Sequence, residues 1–173
     1  TRLLGRNQEL VIHGGGNTSV KTKVRDIDSK KCEVLCIKGS GWDMADIEPD
    51  GLPAVKLSPL IQFKNRKHLK DNDMVTYLKR NLINTNSPNP SVETFVHAFL
   101  PHKYVDHTHS NAIVTLTNRT DGKNLCKKIF GPKVGIVPYV MPGFELAKKA
   151  HDIYILKPEI ECLILLNHGI FTF

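Results

Sequence analysis

Alternating apolar and polar residues predict several short strands separated by turns rich in glycine, asparagine and proline. The predicted strands are 18–24, 33–37, 57–63, 104–106, 112–116 and an apolar run inside 161–173. The first apolar stretch, Leu3 to Val11, fits either the end of a helix or a lead-in strand. A sheet of several strands is therefore expected at the centre of the fold.

Three segments instead carry apolar residues at helical spacing. They are 74–83, the stretch that follows Ser91, and 143–151. Ser91 follows Pro90 and is predicted to be the N-cap of the second helix. Helices and strands alternate irregularly and no repeat or linker is visible, which predicts one α/β or α+β domain over residues 1–173 with a central sheet.

Composition supports a folded domain and narrows its compartment. The chain has 173 residues, of which 40% are hydrophobic and 24% charged, as in ordinary globular proteins. No apolar run has the length of a membrane span, and no secretory signal opens the chain, so a cytoplasmic location is expected. The last residue, Phe173, directly follows a strand, which predicts that a C-terminal segment is missing.

The formal charge of +7 fits an anionic small substrate better than a nucleic acid. Lysine and arginine cluster only at 64–70 and 127–128, and stacking aromatics do not interleave with them. Neither a nucleic acid nor a membrane is therefore expected as a partner. The four cysteines form no disulfide framework, which fits a reducing compartment.

Histidine spacing provides the first sign of chemistry. His107 and His109 are two residues apart, so on a strand both rings point to the same side and can approach one ion. His-x-His alone is more often a surface or structural feature than a metal site, and a third ligand must come from elsewhere. His168 is the best candidate, because it follows an apolar strand and precedes Gly169. Three histidines with an open fourth position are typical of catalytic zinc.

Glu93 and two glycine loops complete the set of candidates. Glu93 lies in the first turn of a predicted helix, where it either stabilises the helix end or serves as a general base beside the metal. The loops at 13–19 and 38–41 offer backbone N–H groups suited to phosphate oxygens, although such loops are also common turns.

The other histidines are not predicted to be metal ligands. His97 follows Glu93 by four residues on the same helix face and is assigned a supporting or packing role. His13 stays undecided. Solvated positions are predicted for His68, His102 and His151.

Five segments in sequence order resemble the class II aldolase and adducin family. They are Gly-Asn17-Thr-Ser-Val, Lys-Gly-Ser40-Gly41, Pro-Ser91-Val-Glu93 with His97, His107-Thr-His109, and Asn-His168-Gly. The resemblance covers about residues 10–172. The segments around 13–21 and 37–43 are most similar to the aldolase domain of bifunctional rhamnulose-phosphate aldolase/alcohol dehydrogenases, although no dinucleotide-binding portion is present.

The resemblance implies a three-layer α/β/α domain with a largely antiparallel sheet, usually assembled as a homotetramer. It implies that His107, His109 and His168 bind zinc, with manganese or cobalt equally acceptable to three imidazoles. Glu93 would be the catalytic acid/base. The phosphate pocket would be lined by Asn17, Ser40, Gly41 and Ser91. Two departures weaken the implied phosphate pocket, since Val92 and Gly14 replace hydroxyl residues of the family pattern.

The activity implied by the resemblance is zinc-dependent cleavage of a ketose 1-phosphate, such as rhamnulose 1-phosphate, to dihydroxyacetone phosphate and an aldehyde. Two alternatives stay open. One is epimerisation of a pentulose phosphate, or a decarboxylation, at the same metal site. The other is a non-catalytic, adducin-like assembly module that binds no metal.

Overall fold

A seven-stranded sheet forms the centre of the computed structural model, which describes residues 1–173. The strands are β1 (Asn17–Arg25), β2 (Lys31–Ile37), β3 (Ala54–Lys56), β4 (Tyr104–Thr108), β5 (Val134–Val137), β6 (Cys162–Leu165) and β7 (Gly169–Thr172). Their order across the sheet is β3-β2-β1-β4-β7-β6-β5, and only β5 and β6 are parallel. The expected antiparallel character is confirmed.

Seven helices cover the two faces of the sheet. They are α1 (Arg2–Gly5), α2 (Leu57–Gln62), α3 (Asp71–Arg80), α4 (Thr94–Phe99), α5 (Asn111–Thr117), α6 (Gly122–Phe130) and α7 (Phe144–Leu156). Short 3-10 turns occupy Pro49–Gly51, Phe63–Asn65 and Gly131–Lys133. No helix combines the length and the apolar character needed to cross a bilayer.

Apolar side chains pack on both faces of the sheet, as a three-layer fold requires. The larger core contains residues of α2, α3, α4 and α7, with Phe95, Phe99 and Phe144 in edge-on contact at its centre. The smaller core joins Ile113 of α5 and Cys126 of α6 to the opposite side of the sheet. Neighbouring residues of β6 point to different cores, as the two-residue period of a strand demands.

The segment 57–63 was expected to be a strand, and this prediction was wrong. Leu57–Gln62 is the helix α2, and residue 63 begins a 3-10 turn. Leu57 and Leu60 are its buried residues, three positions apart as on one helix face. Pro59 would interrupt a strand's hydrogen-bond ladder but is tolerated in the first turn of a helix.

The prediction of a strand at 112–116 was also wrong, because these residues lie within α5. Ile113 and Thr117 are the buried residues, and their spacing of four is helical. A run of β-branched side chains was the misleading signal, since packing against the sheet overrides such local preference.

The remaining predicted elements are present with shifted ends. The strands at 18–24, 33–37 and 104–106 correspond to β1, β2 and β4, and the helices at 74–83 and 143–151 to α3 and α7. Ser91 is not the N-cap, because α4 begins at Thr94 and its N-cap is Glu93. The Ser91 hydroxyl nevertheless accepts a hydrogen bond from the Glu93 N–H at 3.2 Å.

Strand register places the candidate residues side by side. Asn17 of β1 lies opposite His107 of β4, and His107 lies opposite Phe171 of β7. The turn between β6 and β7 contains His168, so this turn lies beside the end of β4. Residues distant in the chain thus meet at the same end of three adjacent strands, β1, β4 and β7.

Candidate metal centre

Three histidine rings meet at the end of β4. The Nε2 atoms of His107 and His109 are 3.1 Å apart. One ring nitrogen from each of His107, His109 and His168 lies within 4.8 Å of the other two. The predicted convergence of the three rings is therefore confirmed, and the group could hold a metal ion.

The tight turn between β6 and β7 directs His168 towards the other two rings. Asn167 has a φ of 58°, a left-handed conformation that asparagine adopts more readily than most residues. A Cβ at position 169 would collide with the carbonyl oxygen of Thr108, so only glycine permits this approach of β7 to β4. Gly169 therefore lets the turn sit against the end of β4.

His107 is held in one orientation by the backbone. Its ring is fully buried and its Nδ1 lies 3.0 Å from the carbonyl oxygen of Ile170, to which Nδ1–H donates. That hydrogen bond leaves Nε2 unprotonated on the neutral ring and directed into the cluster. A backbone partner of this kind commonly orients a metal-binding histidine.

Protonation of these rings is disfavoured even without a metal. Burial, followed by repulsion from His109, lowers the pKa of His107 to about 3. Burial also lowers the pKa of His168 to about 4, although Glu93 opposes this shift. The pKa of His109 is lowered by burial too. All three rings are thus neutral near pH 7, which is the form that binds metals.

The donor set fits a divalent cation. Two nitrogens bound tetrahedrally at about 2.05 Å lie about 3.3 Å apart, close to the separation of the His107 and His109 Nε2 atoms. The Glu93 Oε1 atom is also buried beside the rings without a hydrogen-bond partner. A cation would compensate both the clustered lone pairs and this unpaired oxygen.

Glu93 lies directly beside the three rings. Its Oε2 is 3.3 Å from the His107 Nε2, and its Oε1 is 3.6 Å from the His168 Nε2. Only 5% of the residue is exposed. Burial raises the pKa of Glu93, while His168 and the hydrogen bond from Asn17 oppose the rise. A nearby divalent cation would favour the carboxylate form.

A cavity of about 230 Å³ opens onto Glu93, His109 and His168. All four residues expected to bind phosphate line it, namely Asn17, Ser40, Gly41 and Ser91. Asn17 differs from the others, because its amide donates to the Ser91 Oγ at 3.2 Å and to the Glu93 Oε2 at 2.7 Å. Its amide hydrogens are therefore committed to protein acceptors.

Lys38 also lines this cavity, although it was not among the predicted site residues. The residue is 4% exposed, and its Nζ donates to the carbonyl of Gly14 at 3.3 Å. Burial lowers the pKa of Lys38, opposed by Asp43 and Glu93. A lysine directly after the apolar strand β2 was the available signal, since lysine is rarely this buried without a functional or ionic partner.

The other histidines divide into two groups. His68 is exposed, as predicted, and contacts Glu145. The solvated assignment was wrong for His151, which is buried against Phe99. His102 is half-buried, and its ring stacks on Phe173. Both rings cover apolar surface left by neighbouring aromatic residues, which the local sequence does not show.

The whole chain, residues 1–173, matches the family model described as the class II aldolase and adducin N-terminal domain. The chain belongs to the class II aldolase and adducin family. This membership accounts for the fold, and it places the histidine cluster in a family that includes named aldolases.

Individual relatives of this class II aldolase-like domain agree with that assignment. An uncharacterized oxidoreductase of Bacillus subtilis, YuxG, is 37% identical over 172 residues, which cover 99% of this chain but only 25% of the relative. The N-terminal class II aldolase domain of a conserved Thermoplasma acidophilum protein is 40% identical, with a TM-score of 0.91 over 99% of this chain and 79% of that chain.

A third relative shares the fold at lower identity. The L-fuculose-1-phosphate aldolase of Thermus thermophilus is 20% identical, with a TM-score of 0.60 over 99% of this chain and 75% of that chain. Its likeness shows a common fold for this class II aldolase domain. The present chain spans about a quarter of the length of YuxG.

The buried histidines make the metal-free domain sensitive to acid. In an unfolded chain the histidine pKa is about 6.5, above the folded values of His107 and His168, so the unfolded state binds more protons between them. Stability should therefore fall as the pH is lowered from about 6.5 towards 4. The raised pKa of Glu93 has the opposite effect on the pH dependence of stability. Glu93 is a single group, however, and several histidines act the other way.

Thermal unfolding of the metal-free protein at a series of pH values measures this dependence. A His168→Asn variant should show a shallower loss of stability, whereas His68→Ala, which removes an exposed ring, should keep the original slope. An unfolding midpoint that stays constant between neutral pH and about pH 5 would contradict the expectation.

Proposed function

We propose that this domain is a metal-dependent carbon–carbon lyase that cleaves a ketose 1-phosphate to dihydroxyacetone phosphate and an aldehyde. The observation that carries the proposal is the buried carboxylate of Glu93 beside three converging imidazoles. A carboxylate in this position serves proton transfer, whereas an assembly module needs neither group. Family membership supports an enzymatic role.

His107, His109 and His168 would hold the cation, which we propose to be zinc. When bound, such an ion supplies Lewis-acid chemistry by polarising a substrate carbonyl. Three neutral nitrogen ligands leave room for substrate oxygens, unlike the closed cysteine-rich sites that serve structure. The rings stay neutral near pH 7 because burial lowers the pKa of each of them.

Glu93 would transfer the proton that balances cleavage. As the carbon–carbon bond breaks, its electron pair stays on the dihydroxyacetone phosphate half, and the hydroxyl of the other half gives its proton to the Glu93 carboxylate and becomes the aldehyde. Protonated Glu93 would then give a proton to the carbon that retained the electron pair. In synthesis the carboxylate would remove the same proton. Burial raises the pKa of Glu93, which favours the protonated form that donates.

The phosphate would bind at the far side of the cavity. The hydroxyl of Ser91 already accepts hydrogen bonds from Asn17 and from the Glu93 N–H, so its own proton is available to donate. Ser40 and Gly41 are exposed in the neighbouring loop, which is joined to the Ser91 segment by backbone hydrogen bonds. Gly41 has a φ of 83° that favours glycine. Lys38 would add the positive charge.

Replacing Lys38 by methionine should weaken substrate binding more than chemistry. The buried ammonium lies on the cavity wall and would contact the phosphate, which does not react. We expect KM to rise about 10- to 100-fold, the value of one charge-assisted contact, with a much smaller change in kcat. Lys31→Met, at an exposed position of the preceding strand β2, is the matched control. Equal kinetics for the Lys38 variant and the wild type would show that Lys38 does not contact the phosphate.

Elemental analysis combined with a cleavage assay tests the function itself. We expect about one zinc per chain and release of dihydroxyacetone phosphate from at least one of rhamnulose, fuculose and ribulose phosphates. Interconversion of pentulose phosphates without cleavage would favour an epimerase, and release of carbon dioxide from an acid substrate a decarboxylase. No metal after metal-replete purification would favour the assembly module and overturn the proposal.

A further inference from the structure

A chain of buried polar side chains leads from the sheet to Glu93. Ser19 Oγ lies 2.7 Å from the His97 Nδ1, the His97 Nε2 contacts the Asn17 Oδ1, and the Asn17 Nδ2 lies 2.7 Å from the Glu93 Oε2. Each of these four residues is at most 6% exposed, and His97 is fully buried. Water therefore cannot replace any link without entering the protein.

The contact between His97 and Asn17 shows which ring nitrogen of His97 carries the proton. Burial, with smaller effects of His107 and Lys21, lowers the pKa of His97 well below its usual range, so the ring is neutral and carries one proton. A side-chain carbonyl oxygen cannot donate, so the contact between Nε2 and the Asn17 Oδ1 requires the proton on Nε2. Nδ1 is then an acceptor, and the Ser19 hydroxyl donates a hydrogen bond to it.

The same proton fixes which way the Asn17 amide faces. With Oδ1 turned to His97, the NH2 group faces Ser91 and Glu93. In the flipped amide, the carbonyl oxygen would lie 2.7 Å from the Glu93 Oε2, where two acceptors repel. The orientation of Asn17 thus depends on the His97 ring, which is not among the residues that line the cavity.

We propose that Ser19, His97 and Asn17 are positioning residues that hold the Glu93 carboxylate in place, with His97 locked as the Nε2–H tautomer by the Ser19 hydroxyl. This inference rests on the proposed function only for the use made of Glu93. It gives Asn17 a role in orienting the acid/base, distinct from the phosphate contact expected from family resemblance. Replacing a group of this kind typically costs about 10- to 100-fold in activity.

The tautomer can be measured without any substrate. The backbone of Val105 also acts on the His97 ring as a hydrogen-bond acceptor. The two tautomers carry the ring proton on different nitrogens, so the chemical shifts of the two nitrogens distinguish them. Nitrogen NMR of the metal-free protein labelled in histidine should show the His97 proton on Nε2. A proton on Nδ1 would overturn the proposal, and this result does not depend on whether the protein cleaves any sugar.

Kinetics of matched variants complete the test. Ser19→Ala should move the His97 proton towards Nδ1 and lower kcat about 10- to 100-fold while KM and zinc content stay unchanged. Ser19→Thr keeps the hydroxyl and should recover most of the lost rate. Thr18→Ala removes the neighbouring hydroxyl, which contacts Thr1 on the other face of β1, and is the control for strand stability. A Ser19→Ala enzyme with the wild-type kcat and the wild-type His97 tautomer would refute the proposed role of Ser19.

Discussion

Replacing Glu93 by glutamine should leave the zinc in place and lower kcat for cleavage about 1,000-fold, the middle of the range for one general acid/base. Glutamine keeps the length of the side chain and can still accept the hydrogen bond from Asn17 through its carbonyl oxygen. It cannot exchange a proton with the substrate carbon. The three histidines are unchanged, so elemental analysis should still give about one zinc per chain.

The Glu93→Gln variant should also fold at least as well as the wild type. Burial raises the pKa of Glu93 because the charged form is poorly solvated, so a neutral amide removes that cost. Thermal unfolding of the metal-free proteins measures this directly. Glu159→Gln changes an exposed carboxylate in the loop after α7 and should alter neither kcat nor stability. Cleavage at the wild-type rate by the Glu93 variant would remove Glu93 from the proton-transfer step.

The sequence predicted the histidine cluster because its signals are local. His107 lies in β4 and His109 directly follows this strand, two residues on. His168 stands beside a glycine that lets two chain segments meet. The same reasoning could not supply distances, since these depend on β7 pairing with β4 in a particular register.

Two features of the structure could not be predicted from the local sequence pattern. The segments of α2 and α5 predict strands because short apolar runs fit either element, and the choice is made by which residues reach the core. His97 was assigned a supporting or packing role, and its ring is buried against Phe171. Its hydrogen-bond partners Ser19 and Asn17 lie 78 and 80 positions away. The spacing of four residues suggested Glu93 as the neighbour of His97, because helical spacing identifies only neighbours on the same helix.

The histidine cluster draws on two segments that are far apart in the chain. Two histidines come from β4 and its end, whereas His168 comes from a hairpin turn that only strand pairing brings near. The site is therefore complete only when the sheet has formed. Metal binding should report on folding of β7 as much as on the chemistry of the rings.

Removing His168 should release the metal. A tetrahedral zinc site binds with about 10–16 kcal/mol over four ligands, so one ligand supplies about 3 kcal/mol, or more than about 100-fold in affinity. His168→Ala should consequently lose its zinc on dialysis against a chelator that leaves wild type loaded, and cleavage activity should vanish with it. His68→Ala, which removes an exposed ring, should retain both.

The His168→Ala result has a physical meaning beyond lost activity. The His168 ring packs edge-on and tilted against the other two histidines, so its loss should leave the core of the metal-free domain intact. Addition of zinc should then raise the unfolding midpoint of wild type but not of the variant, since a ligand stabilises only the state that binds it. A His168→Ala protein that still binds one zinc with wild-type affinity would show that His107 and His109 hold the ion with some other residue, and Glu93 would be the first to examine because its Oε2 lies 3.3 Å from the His107 Nε2.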